Sequence, residues 1–214
     1  MQKIVVIGGG GHAKVVTSIL KKLNTFEILG YTDRENQGPL LYLPYIGTDD
    51  VLHDIKARHG ECAAVLGLGY LGKDDLRERL VEKLRGLGFT MPAIVSPTAV
   101  VNEDVQIGEG TVVMDGVVIN SGTRIGRYAI INTRASIDHD CVIGDFTHIA
   151  PGVTFSGGVK VGSHSLIGVG ATVVQYKTIG DHCTVGAGAA VTKDCLEPGT
   201  YVGIPARKIL QMRP

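Results

Sequence analysis

The sequence predicts two folding regimes in one chain: a small α/β domain with a parallel sheet, followed by an all-β coil of six-residue units. Fourteen of the seventeen leucines precede Pro92, whereas Val, Ile, Gly, Ala and Thr dominate the remainder. Strand-like and helix-like segments alternate before residue 92, and an aliphatic residue recurs at every sixth position after it. The 214 residues suffice for two such domains, each with its own core.

Short buried strands alternate with amphipathic helices in the first region. The expected strands are Lys3–Ile7, Phe26–Thr32 and Ala63–Leu66, and the expected helices are Ala13–Leu23, Asp49–Arg58 and Asp74–Arg85. This β-α-β-α-β-α order is typical of parallel strands flanked by helices. We therefore expect residues 1–92 to form a Rossmann-like α/β domain.

A strict six-residue period marks the second region. Every sixth residue is Val, Ile or Phe, without one insertion, at Val95, Val101, Ile107, Val113, Ile119, Ile125, Ile131, Ile137, Ile143, Ile149, Phe155, Val161, Ile167, Val173, Ile179, Val185 and Val191. A fixed repeat of this kind indicates that neighbouring units stack on one another.

The residues around each aliphatic position suggest how the units close. Two positions earlier lies a small or short side chain, such as Ala135, Cys141 or Thr147, so both positions face one side of a strand. Glycines that follow the aliphatic residue recur eighteen residues apart, as at Gly126 and Gly144. Six residues hold one short strand and one tight corner, so three units make one circuit of a triangular parallel coil.

This coil sets the expected dimensions of the second domain. Between five and six circuits fit between Val95 and Leu196, which gives a prism about 25 Å long at ~4.8 Å per layer. We expect the prism to span residues 93–200 and a C-terminal tail to span 201–214. Lys177 occupies a slot that otherwise holds small side chains, so its stem is expected to snorkel outward at a corner.

Composition excludes several classes of partner. Twenty-one Lys and Arg residues balance twenty-one Asp and Glu residues, and no basic run could neutralise a line of phosphates, so no nucleic-acid binding is expected. The early apolar run at residues 4–7 is too short for a signal peptide or a membrane span. The four cysteines lack CxxC spacing, which favours reduced thiols and a cytoplasmic protein.

Among the seven histidines, His139 is the strongest catalytic candidate. It follows the buried Ile137 by two positions, so its ring should project from a corner, and Asp138 and Asp140 flank it. A nearby carboxylate fixes the imidazole tautomer and raises its basicity, which suits a general base, although the spacing fits a solvated corner equally well. One coil above, Gly157 either leaves space for a substrate and offers an N–H to an oxyanion, or is a corner glycine only.

Four of the other histidines form two pairs. His53 and His59 lie in a polar helix and loop, where solvation explains them. His164 and His182 are eighteen residues apart and should stack, but no third histidine joins their column. We expect no metal, and a zinc site like that of trimeric β-helical carbonic anhydrases is the alternative.

His148 leads to a prediction about assembly. It lies at the outward position of a strand nine residues from His139, which is half a coil, so the two side chains point to opposite sides of one prism. If both serve one site, they come from neighbouring subunits. This reasoning predicts a homotrimer with active sites between the prisms.

A glycine-rich loop opens the chain's first helix. Gly8, Gly10 and Ala13 form G-x-G-x-x-A directly after a strand, and Asp33 follows twenty residues later at the end of the second strand. Backbone amides at a helix N-terminus bind phosphate oxygens, and an acidic side chain there can bind a ribose or base. Gly67 either borders the same crevice or ends its strand in a simple turn. A domain of about ninety residues favours a single nucleotide over NAD.

The whole chain resembles the hexapeptide-repeat sugar acyltransferases that carry a nucleotide-binding domain ahead of a left-handed parallel β-helix. These include N-acetyltransferases of UDP-4-amino sugars and of GDP-perosamine, and sialic-acid O-acetyltransferases. The motifs that carry the resemblance are the opening at residues 7–16, the coil from Asn132-Thr133 through His139-Asp140-Cys141 to His148, and the ending Val202-Gly203-Ile204-Pro205-Ala206. The handedness follows from this resemblance.

The resemblance also implies roles for individual residues. His139 is the general base and Asp140 is its partner. The acetyl-CoA contacts are His148, Gly157, Val169 and Ala187, and the nucleotide-sugar contacts are Gly10, Gly11, His12, Asp33, Gly67 and Asn132. The implied reaction is direct acetyl transfer from acetyl-CoA to a nucleotide-linked amino sugar. Sugar or sialic-acid O-acetylation, a metal-dependent hydratase and a non-catalytic nucleotide-sensing trimer are the alternatives, and the nucleotide itself stays open.

Overall fold

A computed structural model describes residues 1–70, 72 and 75–209, and these fall into two compact units. Unit one comprises residues 1–69 and 75–97, and unit two comprises residues 70, 72 and 98–209. Residues 93–97, which the sequence places at the start of the prism, are therefore grouped with unit one. Within the described ranges, no helix has both the length and the apolar character that crossing a membrane requires.

Unit one is a parallel sheet with helices. Its elements are β1 (Gln2–Ile7), α1 (Gly11–Leu23), β2 (Phe26–Thr32), β3 (Tyr45–Gly47), a 3-10 turn (Asp49–Val51), α2 (Leu52–His59), β4 (Cys62–Leu66), α3 (Leu76–Gly86) and β5 (Ile94–Val95). The sheet order is β3-β2-β1-β4, and all three pairings are parallel. The expected α/β domain is confirmed.

The sequence-derived elements of unit one differ from the observed ones mainly at their ends. The predicted helix at 49–58 begins as a 3-10 turn, and the start of the last predicted helix, Asp74, lies outside the described residues. Strand β3 was not predicted, because three residues at the edge of a sheet give no readable period. Helix α1 ends at Leu23, and Asn24, with a left-handed φ of 51°, caps it.

Unit two is a triangular parallel β-helix. Sheet I contains β7 (Gln106–Ile107), β10 (Arg124–Ile125), β13 (Val142–Ile143), β16 (Lys160–Val161) and β19 (Thr178–Ile179). Sheet II contains β8 (Val112–Val113), β11 (Ile130–Ile131), β14 (His148–Ile149), β17 (Leu166–Ile167), β20 (Cys183–Val185), β22 (Gly199–Val202) and β23 (Arg207–Ile209). Sheet III contains β6 (Val100–Val101), β9 (Val118–Ile119), β12 (Ser136–Ile137), β15 (Thr154–Phe155), β18 (Thr172–Val173) and β21 (Ala190–Val191).

The register of these strands is the eighteen-residue circuit expected from the sequence. Ile137 pairs with Ile119 below and with Phe155 above. The aliphatic positions from Val113 to Val191 are buried along the axis, whereas Val101, in the first coil, is 38% exposed. Lys177 is partly exposed. The C-terminal residues add β22 parallel to β20, and β23 returns antiparallel to β22.

Hydroxyl groups in the small inward slots tie successive coils together. The Thr147 hydroxyl donates to the Gly162 carbonyl at 2.7 Å and accepts the Ser165 N–H at 3.3 Å. Thr111, Thr123 and Ser165 repeat this pair of contacts in their own coils. Because corner amides and carbonyls are buried, a short side chain that both donates and accepts satisfies them at little cost in space.

Candidate active site

The His139 turn (residues 138–141) connects β12 to β13 along one edge of the prism. This edge, formed by the turns that follow sheet III, is the His139 edge. From the coil below, the Ser121 carbonyl accepts the Asp140 N–H at 3.1 Å, and the Thr123 hydroxyl donates to the Asp138 carbonyl at 2.9 Å. From the coil above, Gly158 donates its N–H to the His139 carbonyl at 2.8 Å. The turn is therefore held from both sides.

The His139 ring bonds to one of its two acidic neighbours. Its Nδ1 lies 2.8 Å from Asp140 Oδ2, and the His139 side chain is 52% exposed. A carboxylate only accepts, so Nδ1 carries the hydrogen and Nε2 keeps its lone pair. The hydrogen bond to Asp140 raises the pKa of His139 above its usual range, and the negative charge of Asp138 adds to this. The ring is thus a stronger base than free imidazole.

Asp140 can reach the ring because of the local backbone. Its φ of 58° is left-handed, a conformation that Asp adopts more readily than most residues. Gly122, one coil below, leaves the space that the carboxylate fills, since a Cβ there would lie 2.6 Å from Asp140 Oδ1. A side chain on Gly122 would therefore displace the partner of His139.

Asp138 contacts the turn backbone. Its Oδ1 accepts the His139 N–H at 2.8 Å and the Asn120 side-chain amide at 2.9 Å. Both bonds lower the pKa of Asp138, and the bond from Asn120 has the larger effect, so the carboxylate stays charged. Of the two acidic residues, Asp140 is thus the one that contacts the imidazole.

Gly157 lies directly against the His139 ring. A Cβ on Gly157 would come within 2.5 Å of His139 Nε2 and 2.6 Å of Cε1. The ring occupies space that any other residue would fill, so the glycine has a steric role here beyond corner geometry. The basic nitrogen of the ring is next to this glycine.

His148 and Asn132 lie together, away from the His139 edge. Asn132 Nδ2 is 3.1 Å from His148 Nε2, and His148 Nδ1 is 2.8 Å from the Tyr70 carbonyl. Because the carbonyl accepts and the amide donates, the network assigns the hydrogen to Nδ1. His148 was expected at the outward position of its strand; it is only 8% exposed, and the Tyr70 carbonyl contacts its ring. Its role and that of Asn132 stay predictions.

The third edge is formed by the turns that follow sheet II, and it carries Val169 and Ala187. Val169 is 55% exposed, and Ala187 is also exposed one coil above. The Gly188 N–H donates to the Val169 carbonyl at 2.8 Å, which fixes the two turns one above the other. The two residues therefore form a small apolar column on a different edge from His139.

The remaining edge, formed by the turns that follow sheet I, carries a column of rings and is called the aromatic edge. Tyr128, Phe146, His164 and His182 stack at centroid distances of 4.9, 5.3 and 4.9 Å. The planes of the two stacked imidazole rings are almost parallel, at 8°, so their in-plane nitrogen lone pairs do not converge on one ion. Within the described residues no group of three metal-binding side chains occurs. This geometry disfavours the zinc alternative.

In unit one, the glycine-rich loop follows β1 and leads into α1. Gly10 is the N-cap residue of α1 and Gly11 its first residue, and a Cβ on either would meet nothing within 4 Å. His12 follows in the first turn. Open space over N-terminal amides suits a phosphate, because these N–H groups lack intrahelical acceptors.

Asp33 and Gly67 support this loop from the ends of the adjacent strands. Asp33 Oδ2 accepts the Gly9 N–H at 2.7 Å, and its Oδ1 accepts the Arg34 N–H at 2.6 Å. Gly67 is buried, and a Cβ there would lie 2.7 Å from the Ala13 Cβ. Gly67 therefore allows close packing against α1. Whether Asp33 and Gly67 also bind a ligand stays a prediction.

Three residues of the coil below the His139 turn were not singled out from the sequence. Asn120, Gly122 and Thr123 support Asp138 and Asp140 as described above. The signal that could have identified them is the eighteen-residue circuit itself, because Asn120 is eighteen residues before Asp138 and Gly122 is eighteen before Asp140.

Comparison with known proteins identifies both parts of the chain. The family profile of the PglD N-terminal domain matches residues 3–84, and that of the bacterial transferase hexapeptide, with six repeats, matches residues 122–157. PerB from Caulobacter crescentus, solved with CoA and GDP-perosamine, is 37% identical over 98% of this chain and 98% of that chain, with a TM-score of 0.89. This chain belongs to the hexapeptide-repeat sugar acetyltransferases.

Other members of this acetyltransferase family extend the comparison. The acetyltransferase domain of PglB from Neisseria gonorrhoeae FA1090 is 35% identical over 98% of this chain and 100% of that chain, with a TM-score of 0.89. The UDP-N-acetylbacillosamine N-acetyltransferase of Bacillus subtilis (strain 168) is 33% identical over 118 residues, so the match spans about half of that curated protein, 52%. The expected fold, a left-handed parallel β-helix after an α/β domain, is thereby confirmed.

Proposed function

We propose that this chain transfers the acetyl group of acetyl-CoA to the amino group of a nucleotide-linked amino sugar. The observation that carries the proposal is His139: its Nδ1 is held by Asp140, its side chain is 52% exposed, and its Nε2 lies beside Gly157. Of the relatives named above, the Bacillus subtilis protein is a UDP-N-acetylbacillosamine N-acetyltransferase, and PerB is solved with CoA and GDP-perosamine.

The chemistry assigned to His139 is general-base catalysis. Nε2 accepts a proton from the sugar amine as the amine nitrogen forms a bond to the thioester carbonyl carbon. The carbon–sulfur bond then breaks, and the proton returns from His139 to the departing thiolate. The charge on Asp140 stabilises the imidazolium between these steps. The backbone N–H of Gly157 is the candidate donor to the oxyanion.

The nucleotide part of the substrate is assigned to unit one. The N–H groups at the start of α1, at Gly10, Gly11 and His12, suit a diphosphate, and Gly67 and Asp33 border the same strand ends. This location fits the rule that ligands bind at the carboxyl ends of parallel strands, near the point where strand order reverses between β1 and β4. Asn132 is assigned to the sugar.

The acetyl-CoA contacts require a second copy of the chain. Gly157 lies on the His139 edge, whereas Val169 and Ala187 lie on the third edge, so one prism cannot offer both groups to one thioester. A homotrimer in which the His139 edge of one protomer faces the third edge of the next brings them together. The small, exposed side chains of the third edge fit an apolar pantetheine arm. His148 stays a predicted contact of acetyl-CoA. We also infer that the protein is located in the cytoplasm.

A thiol-release assay tests the activity. Acetyl-CoA is offered with UDP-, GDP- and CMP-linked amino sugars, each paired with the sugar that carries a hydroxyl in place of the amine. We expect release of CoA thiol and a stable amide product with one amino sugar only. Release with the hydroxyl partner instead would assign O-acetylation, and no release with any sugar would contradict the proposed function.

Sedimentation with the active protein tests the assembly. We expect a trimer at the concentrations used for the assay, and mixed trimers of His139→Ala chains with Val169→Glu chains should recover part of the activity. A fully active monomer would contradict the shared site.

A further inference from the structure

A ladder of side-chain hydrogen bonds runs up the His139 edge and ends at Asp138. The Asn102 amide donates to Asn120 Oδ1 at 2.8 Å, and the Asn120 amide donates to Asp138 Oδ1 at 2.9 Å. The three residues are eighteen apart and occupy the same corner position in successive coils. The Asn120 amide thus accepts from the coil below and donates to the coil above.

The other two edges lack such a ladder at the equivalent position. On the aromatic edge this position holds Gly108, Gly126, Gly144, Gly162 and Gly180. On the third edge it holds Met114, Asn132, Ala150, Gly168 and Gly186. A left-handed coil therefore closes without amides at this corner, and the ladder is not a requirement of the fold.

The last hydrogen bond of the ladder is accepted by Asp138 Oδ1, which also accepts the backbone N–H of His139. Asp138 Oδ1 accepts both the Asn120 amide and the His139 N–H, and the latter bond is 2.8 Å long. Two donors at one oxygen fix the rotation of the carboxylate, which otherwise could turn freely at a half-buried corner. This bond is one of the contacts that fix the backbone from which the His139 side chain projects.

We propose that Asn120 is a positioning residue for acetyl transfer, because its amide orients Asp138 and thereby the backbone that presents the His139 ring beside Gly157. This inference rests on the proposed function. Asn120 itself contacts neither the ring nor Gly157 in any hydrogen bond of the described residues. It acts through one carboxylate, so its loss should lower turnover more than substrate binding.

Kinetics of two Asn120 variants test the proposal. Asn120→Ala should lower kcat about tenfold at pH 7 and leave both KM values nearly unchanged, because the base is misplaced while the binding surfaces persist. Asn120→Asp should cost more, since two carboxylates then face each other, and its kcat relative to wild type should recover as the pH falls and the pair takes up a proton. Equal kcat for wild type and Asn120→Ala would overturn the proposal.

A matched control separates positioning from loss of a coil-to-coil bond. The Ser163 hydroxyl accepts the Asp145 N–H at 3.1 Å, a bond of the same eighteen-residue span on the aromatic edge. Ser163→Ala should lower the thermal midpoint by an amount similar to Asn120→Ala and leave kcat unchanged. If both variants lower kcat alike, Asn120 acts only on stability and the proposal fails.

An NMR titration gives a readout that does not depend on activity. In the deuterated protein, the His139 amide proton should shift as Asp138 ionises, because the two are hydrogen-bonded. In Asn120→Ala the midpoint of that shift should move to higher pH, since the bond that chiefly lowers the pKa of Asp138 is gone. An unchanged midpoint would refute the positioning role. A shifted midpoint in a protein that releases no thiol would instead locate the failure in the proposed function.

Discussion

The His139 edge and the aromatic edge show two uses of histidine at a corner of the same coil. On the aromatic edge, His164 and His182 stack on each other and continue the column of Tyr128 and Phe146. On the His139 edge, the position one coil above the histidine is Gly157, and a carboxylate holds Nδ1. The fold is the same, but His139 has a carboxylate on Nδ1 and a glycine one coil above, whereas His164 has another ring one coil above.

The two histidine environments differ in the residue that lies eighteen positions after each histidine, one coil above it. Where the next coil supplies another ring, stacking fills the space over the imidazole and gives stability. Where it supplies glycine, the imidazole itself lies in the space that a side chain would fill. A histidine in such a coil is therefore judged by the residue one circuit later and by its neighbours along the chain.

The largest expected effect separates the two edges directly. His139→Ala should lower kcat by about 10²- to 10⁴-fold because the general base is lost, whereas His164→Ala should leave kcat unchanged. Thiol release under saturating substrates measures both. Equal losses in the two variants would mean that the edges do not differ in function.

Gly157→Ala should have the next largest effect. The added methyl would lie 2.5 Å from His139 Nε2, so the exposed ring has to rotate away, and kcat should fall about a hundredfold. The thermal midpoint should change little, because an exposed ring moves at small cost. A normal kcat with the ring undisturbed would show that the close contact is irrelevant.

Asp140→Asn should change the pH dependence as well as the rate. The bond to Asp140 raises the pKa of His139, and catalysis uses the neutral ring, so wild-type activity declines as the pH falls through that raised pKa. Without the carboxylate, the acid limb of kcat/KM should move to lower pH, toward about 6.5, while kcat at pH 7 drops about tenfold. An unmoved acid limb would remove Asp140 as the partner.

The same pKa shift affects stability with a definite sign. The pKa of His139 is raised in the folded state. Its ion pair with Asp140 therefore stabilises the fold fully below the unfolded-state pKa, and this stabilisation is lost as the pH rises through the folded-state pKa. Wild type should therefore have a higher unfolding midpoint than Asp140→Asn at acidic pH, and this difference should shrink as the pH rises.

His182→Ala should give the smallest effect and tests the aromatic edge alone. The exposed ring stacks on His164 at 4.9 Å, so its removal should lower the free energy of unfolding by at most about 1 kcal/mol. Urea unfolding measures this change, and kcat should stay at the wild-type value. A large loss of kcat would assign the aromatic edge a part in catalysis.

The sequence was sufficient to predict the prism because its period is strict. Every sixth residue from Val113 to Val191 is buried along the axis of the prism, as expected where successive side chains of a strand point to opposite sides. Short elements were less predictable: β3 has three residues and little periodic signal, and the packing of Tyr70 over His148 depends on a distant segment of the chain. Such long-range contacts leave no local pattern.

The candidate site was predictable in part for the same reason. The flanking acids made His139 conspicuous, and the circuit length placed Gly157 above it. Spacing could not decide between Asp138 and Asp140, because that choice depends on the left-handed φ of Asp140 and on the space over Gly122. The Asn102–Asn120–Asp138 ladder was visible in the spacing but carried no known motif.

The exact pairing of each residue with the one eighteen positions later also constrains how such a chain can vary. Deleting one residue between Val113 and Val191 would turn every later interior side chain toward water, since successive side chains of a strand face opposite sides. Adding a whole circuit would only lengthen the column and leave the chemistry of the lower layers untouched. Variation in length among proteins built this way should therefore occur in multiples of one full turn.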